Sequence, residues 1–139
     1  MKKLCIIDGQ GGGIGSAIIK KIKGCFGEKV ELIALGTNAI ATSLMLKAKA
    51  NRGASGANAI IQTVKKVDVI IGPFGIIMPH SMMGEVTPAI AEAISSSSAK
   101  KILLPISKEN VSIAGMIQIP LPHLINSVIE EHLNKLINH

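Results

Sequence analysis

Residues 8–15 read Asp-Gly-Gln-Gly-Gly-Gly-Ile-Gly, which puts five glycines into the seven positions from Gly9 to Gly15. Such a stretch is a poor helix or strand, because ordering a glycine costs more backbone freedom than ordering any other residue. It reads as a turn, and its neighbours say what it joins. Before it comes Leu4-Cys5-Ile6-Ile7, a continuous apolar run, the mark of a strand buried on both faces in a parallel sheet. After it, Ile14, Ala17, Ile18 and Ile22 recur at helical spacing, with Lys20, Lys21 and Lys23 near the end, where cations suit the helix dipole. A strand-to-helix turn of this kind aims unpaired N–H groups and the positive end of a dipole outward.

The alternation continues along the chain. Residues 30–35 predict a second strand closed by Gly36, and Thr37 or Asn38 caps a helix that runs to about residue 50. Residues 51–57 read as a small-residue loop, 58–65 as a short helix, and 67–71 as a third strand. Residues 78–84 are irregular. Thr87-Pro88 marks a cap and first helical residue, and the helix that follows frays over 95–98. Strands are expected at 101–105 and, briefly, at 111–114, before an amphipathic helix over 122–137. Strands interleaved with helices mean βαβ units. The predicted fold class is therefore α/β, a three-layer Rossmann-like domain with a mostly parallel sheet of about five strands, spanning residues 1–139 as one domain.

Composition narrows the partners. The net charge is +6, but the lysines fall in small pairs at element edges. Arg52 is the lone guanidinium, and no Tyr or Trp offers a stacking platform, so nucleic acid is disfavoured. Cys5 and Cys25 form no metal spacing, and His123, His132 and His139 form none either; no metal is proposed. Cys5 reads as a small buried hydrophobe. The longest apolar stretch, residues 67–79, is broken by Gly72, Pro73 and Gly75 and falls short of the roughly 20 residues a membrane helix needs. No leader pattern precedes the first strand, so the expected location is cytoplasmic. Residues 39–48 are apolar nearly all round, which places that helix inside the domain or at a subunit contact. With 47% apolar and 17% charged residues, the chain predicts a homodimer.

The candidate site follows from the loop. Gly9, Gln10, Gly11, Gly12, Gly13, Ile14 and Gly15 are expected to hold a phosphate. No Lys, Ser or Thr completes a P-loop there, which argues against a P-loop NTPase. The strand ends at Gly36, Thr37 and Asn38 and at Gly72, Pro73 and Gly75 are expected on the same rim, where open α/β sheets bind ligands. A dinucleotide site normally has an acid at the end of the second strand for the ribose; this chain has none, so no strong preference for NAD over NADP is expected if either binds. Thr37 and Asn38 are offered as partners of a second phosphate or a ribose hydroxyl, and Arg52 as a partner of a 2′-phosphate if its loop folds over. His80 and Glu85 are the acid–base candidates, with a loop histidine and a helix-start carboxylate as the plainer alternatives.

The spacing Gly9-x-x-x-Gly13-x-Gly15, with its Gly13-Ile14-Gly15 tripeptide, resembles the cofactor loop of the short-chain dehydrogenases/reductases. Residues 68–76 resemble that family's fourth-strand segment, with Gly72 and Pro73 in place of its two asparagines. The resemblance implies an NAD(P)-type scaffold over the first half of the chain. The family's Tyr-x-x-x-Lys is impossible in a chain without tyrosine, so its activity does not carry over. The whole chain more closely resembles the DUF3842 family, through Ile7-Asp8-Gly9-Gln10-Gly11-Gly12-Gly13-Ile14-Gly15, Ile33-Ala34-Leu35-Gly36-Thr37-Asn38-Ala39 and Asp68-Val69-Ile70-Ile71-Gly72-Pro73. That resemblance implies a Rossmann-like domain and no assigned activity. The leading expectation is a protein that binds NAD(P) or another nucleotide without a visible catalytic set. The alternatives are a small NAD(P)-dependent oxidoreductase completed across a dimer and an assembly protein that has lost the ligand.

Overall fold

The computed structural model describes residues 1–138. Five strands, β1 (Lys2–Asp8), β2 (Val30–Gly36), β3 (Arg52–Ser55), β4 (Val69–Pro73) and β5 (Lys100–Leu104), form one sheet in the order β3-β2-β1-β4-β5. All four pairings are parallel. The expected α/β fold with a parallel sheet is what forms, and its strand order is the Rossmann one, whose direction of winding reverses between β1 and β4.

Alternate residues of each strand feed opposite faces. Leu4 and Ile6 of β1 join Leu32 and Ala34 of β2 in one core. That core is closed by α1 (Gly13–Phe26), α2 (Ala39–Lys47) and the C-terminal helix, α5, over residues 121–137. Cys5 and Ile7 join Ile33 and Leu35 in the other core, closed by α3 (Ala57–Thr63) and α4 (Pro88–Ser96). The central strands are thus wet on neither side, which is why they read as unbroken apolar runs. Cys5 is fully buried, as expected, and burial pushes its thiol up to about 12.

Helix starts follow local chemistry. The Asn38 side chain accepts the N–H of Ala41 at 2.8 Å, and Thr87 accepts that of Ile90 at 3.2 Å with Pro88 behind it, so each cap satisfies an N–H that the first turn leaves open. α5 runs from Leu121 through a π-helical stretch, Val128–Leu133, to Ile137.

Several boundaries differ from expectation. The fifth strand is Arg52–Ser55, inside the stretch expected to be a loop; residues 111–114 form no strand. Arg-Gly-Ala-Ser has neither β-branched nor aromatic side chains, so no strand signal shows, yet its backbone pairs with β2 from Ile33↔Arg52 to Gly36↔Ser55. Gly53 is small because Leu46 of α2 lies over it; a Cβ there would sit 3.0 Å from the leucine. Residues 111–114 have some strand character in sequence but no neighbouring strand beyond β5 to pair with. α4 ends at Ser96, inside the stretch expected to close it, and the Ser97 hydroxyl donates to the carbonyl of Val64 at 2.6 Å. α2 is not sandwiched, and its exposed side mixes Ile40, Leu44 and Leu46 with Ser43 and Lys47. It buries Ala41, Thr42 and Met45 and leaves Ile40 74% exposed, with Leu44 and Leu46 also in the open. Among the described residues no helix is long and apolar enough to cross a membrane.

Candidate functional site

The strands end together at the rim where β1 passes into α1, and the glycine loop divides into two kinds of glycine. Gly9, Gly12 and Gly15 are buried and have internal reasons to lack a side chain. A Cβ on Gly15 would lie 2.5 Å from Sδ of Met45 and 3.0 Å from Cβ of Asp8, so this glycine lets α1 pack against α2 and β1. Gly12 has φ +77° and lies against the Ala41 backbone, where a Cβ would come within 2.7 Å of the carbonyl oxygen. Gly11 and Gly13 are exposed, have no left-handed backbone requirement, and a Cβ on either would meet nothing within 4 Å.

The loop's donors divide the same way. Asp8 closes β1 and turns its carboxylate under the loop. Its two oxygens accept the N–H groups of Gly9 at 2.8 Å and Gly15 at 2.7 Å. Burial pushes this carboxyl above its usual range; the N–H groups of Gly15, Gly9 and Ile14 pull it back, and the charge of Glu85 adds to the rise. The N–H of Gly12 donates to the Gly9 carbonyl and that of Gln10 to Glu85. Those of Gly11 and Gly13 have no acceptor among the described residues. They stand at the start of a 14-residue helix, beside a shallow groove of about 340 Å³ lined by Gly11, Ala39, Ile40, Ser43, Leu44 and Lys47.

Glu85 reaches the far side of the loop. It comes from residues 78–87, which leave β4 and lie over the ends of β1 and β2. One oxygen, Oε1, accepts the Gln10 N–H at 2.7 Å, the Thr37 hydroxyl at 2.6 Å and the Asn38 amide at 3.0 Å. Oε2 has no donor among the described residues. Partial burial pushes this carboxyl up, but the three donors outweigh it and hold it below the usual carboxylate range. The segment is pinned by buried Val86, by the Ser81 hydroxyl donating to the Gly75 carbonyl, and by the Met82 N–H donating to Glu109 at 3.1 Å. Three of its residues, His80, Met82 and Met83, take positive φ without being glycine, a conformation that only a well-determined surrounding sustains.

The structure brings Gly9, Gln10, Thr37, Asn38 and Glu85 together. It encloses Gly36, Gly72, Pro73 and Gly75 in protein. Gly36 is held tight by Thr42, Gly72 by the Ile7 carbonyl and Gly75 by the Ser107 carbonyl. Ile14 is half-buried against the core. His80 is exposed, and its imidazole makes no hydrogen bond among the described residues. Arg52 is not where a 2′-phosphate would be. It lies in β3 opposite Ile33, three residues back from the rim at Gly36↔Ser55, and is ion-paired with Glu31. No cluster of three or more metal-ligating side chains occurs among the described residues. The larger cavities lie elsewhere: about 460 Å³ under residues 105–119, and about 530 Å³ between α1 and α5. Two features have no signal in the sequence: the Asp8 carboxylate beneath the loop, and Lys47 in the groove that Gly11 also lines. Neither spacing has a local signature, since each depends on how α1, α2 and β1 pack.

The chain is weakly similar to solved structures. One is a universal stress protein in complex with cAMP, 13% identical, with a TM-score of 0.43, covering 75% of this chain and 98% of that one. Another is a dodecameric FMN-dependent Ubix-like decarboxylase from Escherichia coli O157:H7, 13% identical, with a TM-score of 0.44, covering 98% of this chain and 94% of that one. No curated protein matches. The family model that does match runs over residues 3–137, nearly the whole chain, and the protein belongs to the family described as a domain of unknown function, DUF3842.

Proposed function

We propose that this protein binds a nucleotide-type ligand, with a ligand phosphate on the N–H groups of Gly11 and Gly13. One observation carries the reading: these two glycines have no internal reason to be glycine. Neither is strained, neither is packed, and both present an unspent N–H at the start of a long helix. A residue kept bare where the fold leaves room for a side chain is suited to close approach by something outside the fold. Lys47, which also lines the adjoining groove, adds a positive charge to it.

No catalytic step is assigned. A carboxylate held ionised by three donors, as Glu85 is, serves as an acceptor and not as a proton donor near neutral pH. The reading includes self-association through the outer face of α2, where Ile40 and Leu44 stand uncovered. Calorimetry with 5′-AMP, NAD and NADP tests the ligand. Micromolar binding is expected for at least one, weakened tenfold or more by Gly13→Val. Silence across the panel refutes the reading and favours the assembly alternative.

A further inference from the structure

We infer that Glu85 is the residue that selects the sugar of the bound nucleotide, accepting a hydroxyl of an unsubstituted ribose and excluding a 2′-phosphate. The inference rests on the phosphate reading above and adds the chemistry of the group next to that phosphate.

Sheets of this order usually hold the ribose with an acid at the end of the second strand. The chain has none there: β2 ends at Gly36 and is followed by Thr37 and Asn38. The structure delivers one from 48 residues further along. Glu85 sits on the Thr37 hydroxyl and the Asn38 amide, the two residues that follow β2. It also takes the N–H of Gln10, the residue directly before Gly11. A phosphate on Gly11 and Gly13 therefore has a carboxylate as its neighbour along the loop. Two anions side by side repel, so the part of a nucleotide that meets Glu85 must carry no negative charge and must donate.

A sugar hydroxyl does both. The division of labour within the carboxylate suits that role. Oε1 is fixed by three donors, whereas Oε2 accepts nothing from the described residues. An acceptor anchored through one oxygen and free at the other is oriented in advance, which lowers the ordering cost of binding. The Thr37 hydroxyl is spent on Oε1 and the Asn38 amide on Oε1 and the Gln10 carbonyl, which removes the basis for a second phosphate there. A 2′-phosphate would place its charge against the carboxylate, and Arg52, bound to Glu31, is not at hand to offset it.

The test uses 5′-AMP and adenosine 2′,5′-bisphosphate, which differ only by the 2′-phosphate, in titration calorimetry with the full chain and its Glu85→Gln variant. Wild type should bind 5′-AMP at least tenfold more tightly than the bisphosphate. In Glu85→Gln, which keeps an oxygen for the three donors and loses the charge, the ratio should fall to within about threefold. A wild-type ratio near one overturns the inference, and so does a ratio that survives in the variant. A gain of tenfold or more in 5′-AMP affinity in the variant also overturns it, since Glu85 would then be an occupant of the ligand's place and not its partner. If wild type binds neither probe, the phosphate reading itself fails, an outcome distinct from binding without preference. The wild-type ratio decides the matter even if the variant proves unstable.

Discussion

Replacing Gly13 by Ala separates the demands of folding from those of binding. Gly13 is the first residue of α1, a Cβ on it meets nothing within 4 Å, and its φ lies outside the left-handed region. The folded state can therefore accept alanine without strain. The unfolded chain loses freedom, so the substitution should stabilise by about 0.4–1 kcal/mol. For a domain of this size that raises Tm by about 1–4 °C. The same methyl group lies where a phosphate would approach the N–H, so nucleotide affinity should fall. Gly15 is the control, two residues on in the same helix. Its Cβ would lie 2.5 Å from Met45 Sδ and 3.0 Å from Asp8 Cβ. The methionine tip can swing aside but the Asp8 Cβ cannot, so Gly15→Ala should destabilise by about 1–3 kcal/mol. Urea or thermal unfolding followed by circular dichroism measures both, and calorimetry with the nucleotide panel measures binding. If Gly13→Ala destabilises the protein, the glycine has a structural role absent from the packing. If it stabilises the protein and leaves binding intact, the phosphate is not held there.

Four further outcomes are expected. Gly72→Ala should cost about 3 kcal/mol in urea unfolding, because its Cβ would strike the backbone carbonyl of Ile7 on a central strand, which has nowhere to go; a loss below about 1 kcal/mol contradicts this. The two site carboxylates should oppose one another in pH titrations of stability. Glu85 is held below its usual range, so its contribution is present at neutral pH and lost as pH falls through that depressed pKa; Glu85→Gln should flatten this acid limb. Asp8 is held above its usual range, so the native state binds its proton more readily than the unfolded chain and its effect runs the other way, with stability falling as pH rises from the unfolded pKa through the native one. Under native conditions a thiol reagent should modify Cys25 quickly and Cys5 only on unfolding, since the first is exposed and the second buried; two fast thiols would contradict the packing. Sedimentation equilibrium at micromolar concentration should show a dimer that Ile40→Lys weakens, whereas a single 14.5 kDa species refutes self-association.

Much of the architecture was legible in the sequence because it rests on short-range patterns. The apolar run at Leu4–Ile7, the glycines after it and the isoleucines at helical spacing define a buried strand, a turn and a helix whatever the rest of the chain does. The caps at Asn38 and Thr87 are equally local. Tertiary structure decided what depends on neighbours. Arg52–Ser55 became a strand because the edge of β2 stood open to backbone pairing, which no side chain announces. The five loop glycines look alike in sequence. Packing against Met45, Asp8 and Ala41 separates those the fold requires, Gly12 and Gly15, from Gly11 and Gly13, which face open space. The sharpest case is the acid beside Thr37 and Asn38. β2 ends without an acid; the chain carries it 48 residues later, on a loop returning from β4. Only the folding of that loop over the strand ends converts a distant glutamate into a neighbour of the glycine turn, because a side chain's surroundings are set by where elements pack and not by their order along the chain.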